Sequence, residues 1–416
     1  MHQWADFRIQ AMKIDPRANQ ANQRIRVRSA PSSRGVDVNR IVLAHVSTYP
    51  PRECGIASYT RALVESIREE RFIHLILAVD DGKGRHQYDQ SVRLVINANN
   101  SSEFVKAARF LNESERAVVS LQHEYGIFGG EWGSHILDLV SSLEKPLITT
   151  FHTVLRRPPQ AARKILGELA CASKYVVVTL RRAARLLVDV YDVPEDKVRI
   201  IQHGAPAQTY HDPLKEKTRL GLTGRRVALT LGFLSPAKGI EYSLRAVKTL
   251  LKDFPDLLYI VVGVTHPSLK REEGDAYRKM LEDLKGELGL SQSVRFVDRF
   301  VSVEELGTFL SIADVYIAPY RGRDQVSSGT LTAATASGKA IVATPTPFSR
   351  ETLTPRRGLL CKFEDAESIA HQVGRILSNP SLRRRLEVGA KQYGARVGWQ
   401  QVAEKYAKIF EKALKV

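Results

Sequence analysis

From Asn39 to about residue 206, short apolar runs alternate with amphipathic stretches. IVLAHV, HLILAV, VRLVIN, AVVSLQ, PLITTF, YVVVTL and VRIIQ have the length and β-branched content of strands. SYTRALVESIREE and AARKILGELACASKY place their apolar residues at helical spacing. Strands that are apolar on both faces need helices on both faces, which is the pattern of a parallel sheet. The beat stops at APAQTYHDPLKEKTRLGLTG, which is polar and carries prolines, so a linker is expected there. It restarts with RVALTLGFL, LLYIVVGV, VRFVDRF, VYIAPY, AIVATP and GLLCKF. Two consecutive doubly wound α/β units of similar size follow. The last stretch, from about Leu382, reads as helix, with Trp399, Val402, Tyr406, Ile409 and Leu414 on one face, packed against a core.

The length of 416 residues suits two or three domains, and 43% hydrophobic with 26% charged residues excludes a disordered, collagenous or coiled-coil chain. No window approaches the roughly 18 apolar residues of a membrane-crossing helix. Cys54, Cys171 and Cys361 lie far apart, without CxxC spacing, which argues against a disulfide framework or zinc site and fits a reducing compartment. The net charge of +17 favours anionic partners. Residues 1–36 hold seven Lys or Arg against two Asp and read as a mobile basic tail, whether a start-site extension, a membrane-adhesive arm or a transit peptide.

Doubly wound sheets bind ligands beyond the carboxyl ends of their strands. After the first strand, STYPPRECGIASYT brings Gly55 to the start of a helix, where free N–H groups suit a phosphate or hydroxyl. Tyr49 in the same loop is a candidate for the cleft. The pattern is not a complete GxGxxG, so a dinucleotide cofactor is not expected. His123, with its neighbour Glu124, and His152 follow two later strands, and neutral imidazole can donate to or accept from a sugar hydroxyl. In the second unit, Gly232, Lys238 and Gly239 lie in a strand-to-helix turn suited to a diphosphate. RGRDQVSSGTL supplies Gln325, Ser328, Gly329, Thr330 and Leu331 at the start of another helix. Ordinary capping also explains Ser and Gly at such turns.

TYPPRECGIASYT, LITTFHTVL, IQHGAP, GFLSPAKGIEYSLRAV, SSGTLTAATASGKAIVATP and FEDAESIA, in this order, resemble the landmarks of the retaining, sugar-nucleotide-dependent glycosyltransferases of the large family four, also called group 1. The resemblance runs from about residue 40 to 412. It implies a GT-B fold, two Rossmann-like units facing a cleft. The expected boundaries are a tail at 1–36, an acceptor domain at 37–206, a linker at 207–224, a nucleotide-sugar domain at 225–385, and a closing helix at 386–416 that crosses back. By the same resemblance His152 contacts the transferred sugar, Gly55 faces the donor phosphate and Lys238 binds the diphosphate. Phe233 stands where the family usually has an arginine. Gln325 and Ala333 stand where many members carry paired glutamates, and a subgroup with an SSGTL-type loop also lacks them.

The function so implied is metal-independent, cofactor-free transfer of a hexose from a nucleoside-diphosphate sugar to a glycan, lipid-linked or small-molecule acceptor. Adjacent Asp80 and Asp81 lack the spacing of a DxD metal motif. The rival readings are a non-catalytic nucleotide-sugar or glycan binding protein and a sugar-nucleotide epimerase on the same fold, for which the missing glutamates count as evidence against the epimerase. The basic excess suggests a cytoplasmic protein in peripheral contact with anionic membrane. No recognition motif points to nucleic acid.

Overall fold

The computed structural model of the chain describes residues 40–415, apart from 69, 85 and 208–210. The expected tail lies outside the described residues. Two parallel sheets form, each wrapped by helices. The first has seven strands: β1 (Ile41–Ser47), β2 (Phe72–Asp80), β3 (Val92–Asn97), β4 (Ala117–His123), β5 (Leu147–Phe151), β6 (Tyr175–Val178) and β7 (Val198–Ile200), in the order β3-β2-β1-β4-β5-β6-β7. The second has six: β8 (Arg226–Leu231), β9 (Leu257–Val262), β10 (Val294–Val297), β11 (Val315–Ala318), β12 (Ile341–Ala343) and β13 (Leu359–Leu360), in the order β10-β9-β8-β11-β12-β13. Every pair is parallel. The α/β expectation of two doubly wound units is met. β4 and β9 are buried along their whole length, because helices cover both faces.

In each sheet the strand order reverses once, between β1 and β4 and between β8 and β11. Such a reversal opens a crevice beyond the carboxyl ends of the two strands, where adjoining crossovers leave to opposite faces. These are the ends that carry His123, Gly232 and the 319–328 loop. The two carboxyl edges face one another. Thr179, just after β6, donates through Oγ1 to Val326 O after β11 (3.1 Å). Arg271 lies 4.0 Å from Asp81, which follows β2.

The chain passes between units twice. The helix Pro213–Arg219, with Asp212 as its N-cap, packs on the helix Val303–Ile312 and so joins the second unit. The helix Pro380–Gly394 packs on the helix Gly329–Ala336 and also stays with the second unit. The return falls at residues 395–398, where Ala205 N–H donates to Val397 O (2.7 Å) and Trp399 N–H to Ala205 O (3.0 Å). A Cβ on Gly204 would lie 2.2 Å from Trp399 Cδ2, so this crossing leaves room only for glycine. The final helix, Trp399–Leu414, then covers the first sheet. Val402, Tyr406 and Phe410 are fully buried against Leu43, Val118 and Ile148. Phe410 joins the buried face, and the expected Ile409 and Leu414 pack against the same cluster partly buried.

Candidate active site

In the second unit, β8 ends at Gly232, whose φ of +117° suits glycine alone. Its N–H donates to Val262 O (2.9 Å). Lys238 closes the short turn Pro236–Lys238, and Gly239 takes the left-handed conformation (φ +63°) so that the chain can pass Pro319, whose carbonyl a Cβ would meet at 2.2 Å. The turn folds the Lys238 side chain back over the end of β8. A Cβ on Gly232 would lie 3.3 Å from both Lys238 Nζ and Thr330 Cγ2. Lys238 Nζ sits 4.6 Å from the centre of the Tyr320 ring, within cation–π range. The buried Tyr320 hydroxyl lies 3.0 Å from Ser328 Oγ and 3.2 Å from Thr330 Oγ1. Ser328 caps the helix Gly329–Ala336, its Oγ accepting from Leu331 N–H (3.2 Å). Gly232, Lys238, Ser328, Gly329, Thr330 and Leu331 therefore converge on one helix N-terminus, where a cation and the leading N–H groups share a face.

Gln325 lies in the same loop but is turned to its own backbone, its amide donating to Ser327 O (2.9 Å). Ala333 is buried on the core side of the helix, so its position does not reach the cleft. Phe233 joins His266 and Phe300 in an aromatic group at the ends of β8, β9 and β10, with ring centres 5.4 and 5.9 Å away.

In the first unit, Gly55 opens the helix Gly55–Ser66 on the surface, and no atom lies within 4 Å of where its Cβ would be. His152 follows β5 and donates from Nε2 to Gln122 Oε1 (3.0 Å), which leaves Nδ1 as the lone-pair nitrogen. Burial pushes its pKa down to about 3, and His203 and His123 push in the same direction. His152 is a neutral hydrogen-bonding group. Its ring meets Tyr59 edge-on at 4.7 Å, and Tyr59 in turn meets His203 at 5.1 Å and Trp399 at 4.8 Å. His203 donates from Nδ1 to Gly204 O (2.8 Å), and burial holds it below the usual imidazole range. A Cβ on Gly329 would lie 3.5 Å from His203 Cε1 and 3.6 Å from its Nε2. His203 of the first unit thus reaches the helix start in the second.

The other candidates are dispersed. His123 is wholly buried among Tyr125, Phe128 and Phe151, with neither ring nitrogen partnered, and burial pushes its pKa down to about 3. It is a core residue and not a cleft contact. Glu124 accepts from Thr153 Oγ1 (2.7 Å) and from Tyr125 N–H (3.0 Å), and burial raises its pKa despite both bonds. Tyr49 belongs to a separate apolar group with Ile76 and Ala78, away from the histidines. Glu351, the carboxylate that follows β12, accepts from Arg181 N–H (2.9 Å) and so ties the units together.

Tyr59, His203 and Tyr320 were not singled out by sequence, and Trp399 only as a packing residue of the final helix. His203 sits in the IQHGAP landmark, the one available signal. Tyr59 and Tyr320 look like ordinary buried aromatics until their partners are known. Among the described residues, one group of three offers metal-type ligand atoms close together, Asp80, Asp81 and His86. Both Asp80 oxygens are already engaged, Oδ1 by Gly82 N–H (3.0 Å), Oδ2 by Tyr88 Oη–H and His86 Nδ1 (2.8 Å each).

Two Rossmann-like units meeting across a cleft, with a phosphate-type helix N-terminus in the second, define the GT-B fold, and solved structures agree. A glycosyltransferase from Rickettsia africae superposes with a TM-score of 0.74 at 17% identity, over 91% of this chain and 99% of that one. Anabaena HepE, solved in complex with UDP, superposes at 0.73 and 15% identity, over 89% and 100%. Residues 214–393 match the family model for glycosyl transferases group 1. The D-inositol 3-phosphate glycosyltransferase of Thermobispora bispora is 27% identical over 293 residues, 65% of this chain and 65% of that protein's length. These likenesses show the GT-B fold for the chain and a match to the glycosyl transferases group 1 model over residues 214–393.

Proposed function

We propose that this protein transfers a hexosyl unit from a nucleoside-diphosphate sugar to an acceptor hydroxyl, with retention at the anomeric carbon. The observation that carries this reading is the convergence of Lys238, Ser328 and Thr330 on the start of the helix Gly329–Ala336, opposite His203. A diphosphate seated there meets a fixed ammonium and fixed N–H donors. The bound UDP of HepE supports a nucleoside diphosphate as the leaving group.

In the reaction the bond from C1 to the phosphate oxygen breaks, the acceptor oxygen bonds to C1 on the same face, and the acceptor proton passes to the departing phosphate. Negative charge grows on the diphosphate, so Lys238 and the helix start hold the transition state more strongly than the ground state. Neutral His152 keeps a lone pair on Nδ1 that can accept from a sugar hydroxyl and fix the ring. This scheme needs no metal or other cofactor.

Purified protein incubated with UDP-, GDP- and ADP-hexoses and a panel of polyol and sugar-phosphate acceptors tests it, with the anomeric configuration read by proton NMR. Transfer with retention supports the reading; donor binding without hydrolysis or transfer favours a binding protein. An epimerase would need cleft carboxylates, and Glu351 is committed to the backbone of Arg181. We further propose a cytoplasmic protein in peripheral contact with anionic membrane, carried by the basic tail and the exposed Arg384 and Arg385. Salt-sensitive co-sedimentation with anionic but not neutral liposomes tests that contact. No helix among the described residues is long and apolar enough to cross a membrane.

A further inference from the structure

A cavity of about 310 Å³ lies where the two units meet. Thr179, Arg181, Gln202 and His203 line it from the first unit, and Thr332, Arg357 and Tyr393 from the second. It is distinct from the cluster around Lys238. Thr332 leaves its helix about 200° around from Thr330, and Lys238, Tyr320, Ser328 and His152 do not line the cavity.

Its chemistry is that of an anion site with a polar wall. The Arg357 guanidinium lies 4.4 Å over the Tyr393 ring and donates from Nε to Thr354 Oγ1 (3.2 Å). Its Nη1 is buried and has no partner among the described residues. A buried charged donor left unpaired is costly, and a ligand oxyanion is the group that would satisfy it. The carboxylate of Glu351, also on the wall, does not do so, because it accepts from the backbone N–H groups of Arg181 and Arg182 (2.9 and 3.4 Å). The Arg181 side chain adds a second cation. Gln202, whose Oε1 is held by Lys405 Nζ (3.1 Å), lines the cavity together with Phe348 and Tyr393. A lining that includes Arg181 and Arg357 together with an amide and two aromatic rings suits a phosphate group carried on a small polyol.

We infer that this cavity binds a phosphate group, free or esterified to a small polyol, at a site bridging the two units that does not use Lys238 and shares only its His203 wall with the donor site. Occupancy would favour the present approach of the units, and the Thr179 bond to Val326 O passes that preference to the loop that leads to Ser328. The inference does not depend on transfer activity.

Isothermal titration of the full-length protein with inorganic phosphate, glucose 6-phosphate and glucose, without donor, tests it. Saturable binding of either phosphate probe, but not of glucose, is expected, and the tighter of the two identifies the source. Arg357→Met should weaken it at least about tenfold, the worth of one lost charged hydrogen bond. Arg181→Ala, on the exposed side and with its backbone N–H retained, should weaken it as well and serves if Arg357→Met fails to fold. Lys238→Ala should leave it unchanged. Equal affinity in wild type and both arginine variants, loss of binding in Lys238→Ala, or no phosphate binding at tens of millimolar would overturn the assignment.

Discussion

His203 of the first unit stands against Gly329 of the second, so near that a methyl group on the glycine would touch the imidazole at 3.5 Å. The contact joins the inter-unit loop to the helix start that collects Lys238, Ser328 and Thr330. Any donor held at that helix start is therefore within reach of His203.

Removing the ammonium should separate chemistry from folding. Lys238→Ala is expected to lower kcat/KM by about 10²- to 10³-fold, the usual loss of a preorganised charge-stabilising donor, while its thermal midpoint stays close to wild type, because Lys238 is only partly buried. Initial rates with the best donor, alongside a melting curve, check this. A folded variant with wild-type rates would remove Lys238 from the mechanism.

Metal chelation should leave the rate unchanged. The Asp80 carboxylate is saturated by Gly82, Tyr88 and His86, and no other described grouping offers three metal-type ligands. Activity lost in EDTA and restored by magnesium would contradict the metal-independent scheme.

Stability should fall with acid below about pH 6.5. His123 and His152 are each pushed from 6.5 to about 3 by burial, and His45, buried beside His74, moves in the same direction. Their folded pKa values lie below the unfolded value, so between pH 6.5 and 3 the unfolded chain binds more protons. The unfolding free energy then drops by about 1.4 kcal/mol per pH unit for each such histidine. Above pH 7 these groups contribute no slope. Urea midpoints at pH 7.5 and 5 measure it, and His123→Leu should shallow the dependence. An unchanged wild-type midpoint would show that the histidines are not held neutral.

The inter-unit crossing should not tolerate a side chain at Gly204. Gly204→Ala places a Cβ 2.2 Å from the Trp399 indole, so the indole or the backbone must move. A loss of about 1–3 kcal/mol is expected, the range of an overpacked core, read from urea unfolding. Gly55→Ala, where no atom lies within 4 Å, serves as the control for unfolding.

The strands and the two-unit plan were legible because each strand is covered on both faces and so carries an unbroken apolar run. That Lys238 and Ser328 would meet was legible too, since both sit where a strand end leads into a helix of the same sheet. What was not legible depends on partners remote in sequence. Tyr59 on its helix is merely an apolar-face residue, yet its hydroxyl meets Tyr406, 347 residues away, at 2.9 Å. His123 shows the converse: its place at a strand end suggests a ligand contact, but the Phe128 and Phe151 rings close over it. Glu351 follows a strand like a catalytic carboxylate, and only the approach of the second unit to Arg181 reveals its structural use.

The account rests on a nucleoside diphosphate seated at Lys238 and the start of the helix Gly329–Ala336. Thermal unfolding of wild type and Lys238→Ala with UDP, GDP, ADP and their sugars tests that directly. One nucleotide should stabilise the wild type by about 2.7 kcal/mol at 100 times its dissociation constant, and the same nucleotide should stabilise Lys238→Ala far less. Stabilisation by none of them, or equal stabilisation of both proteins, would contradict it.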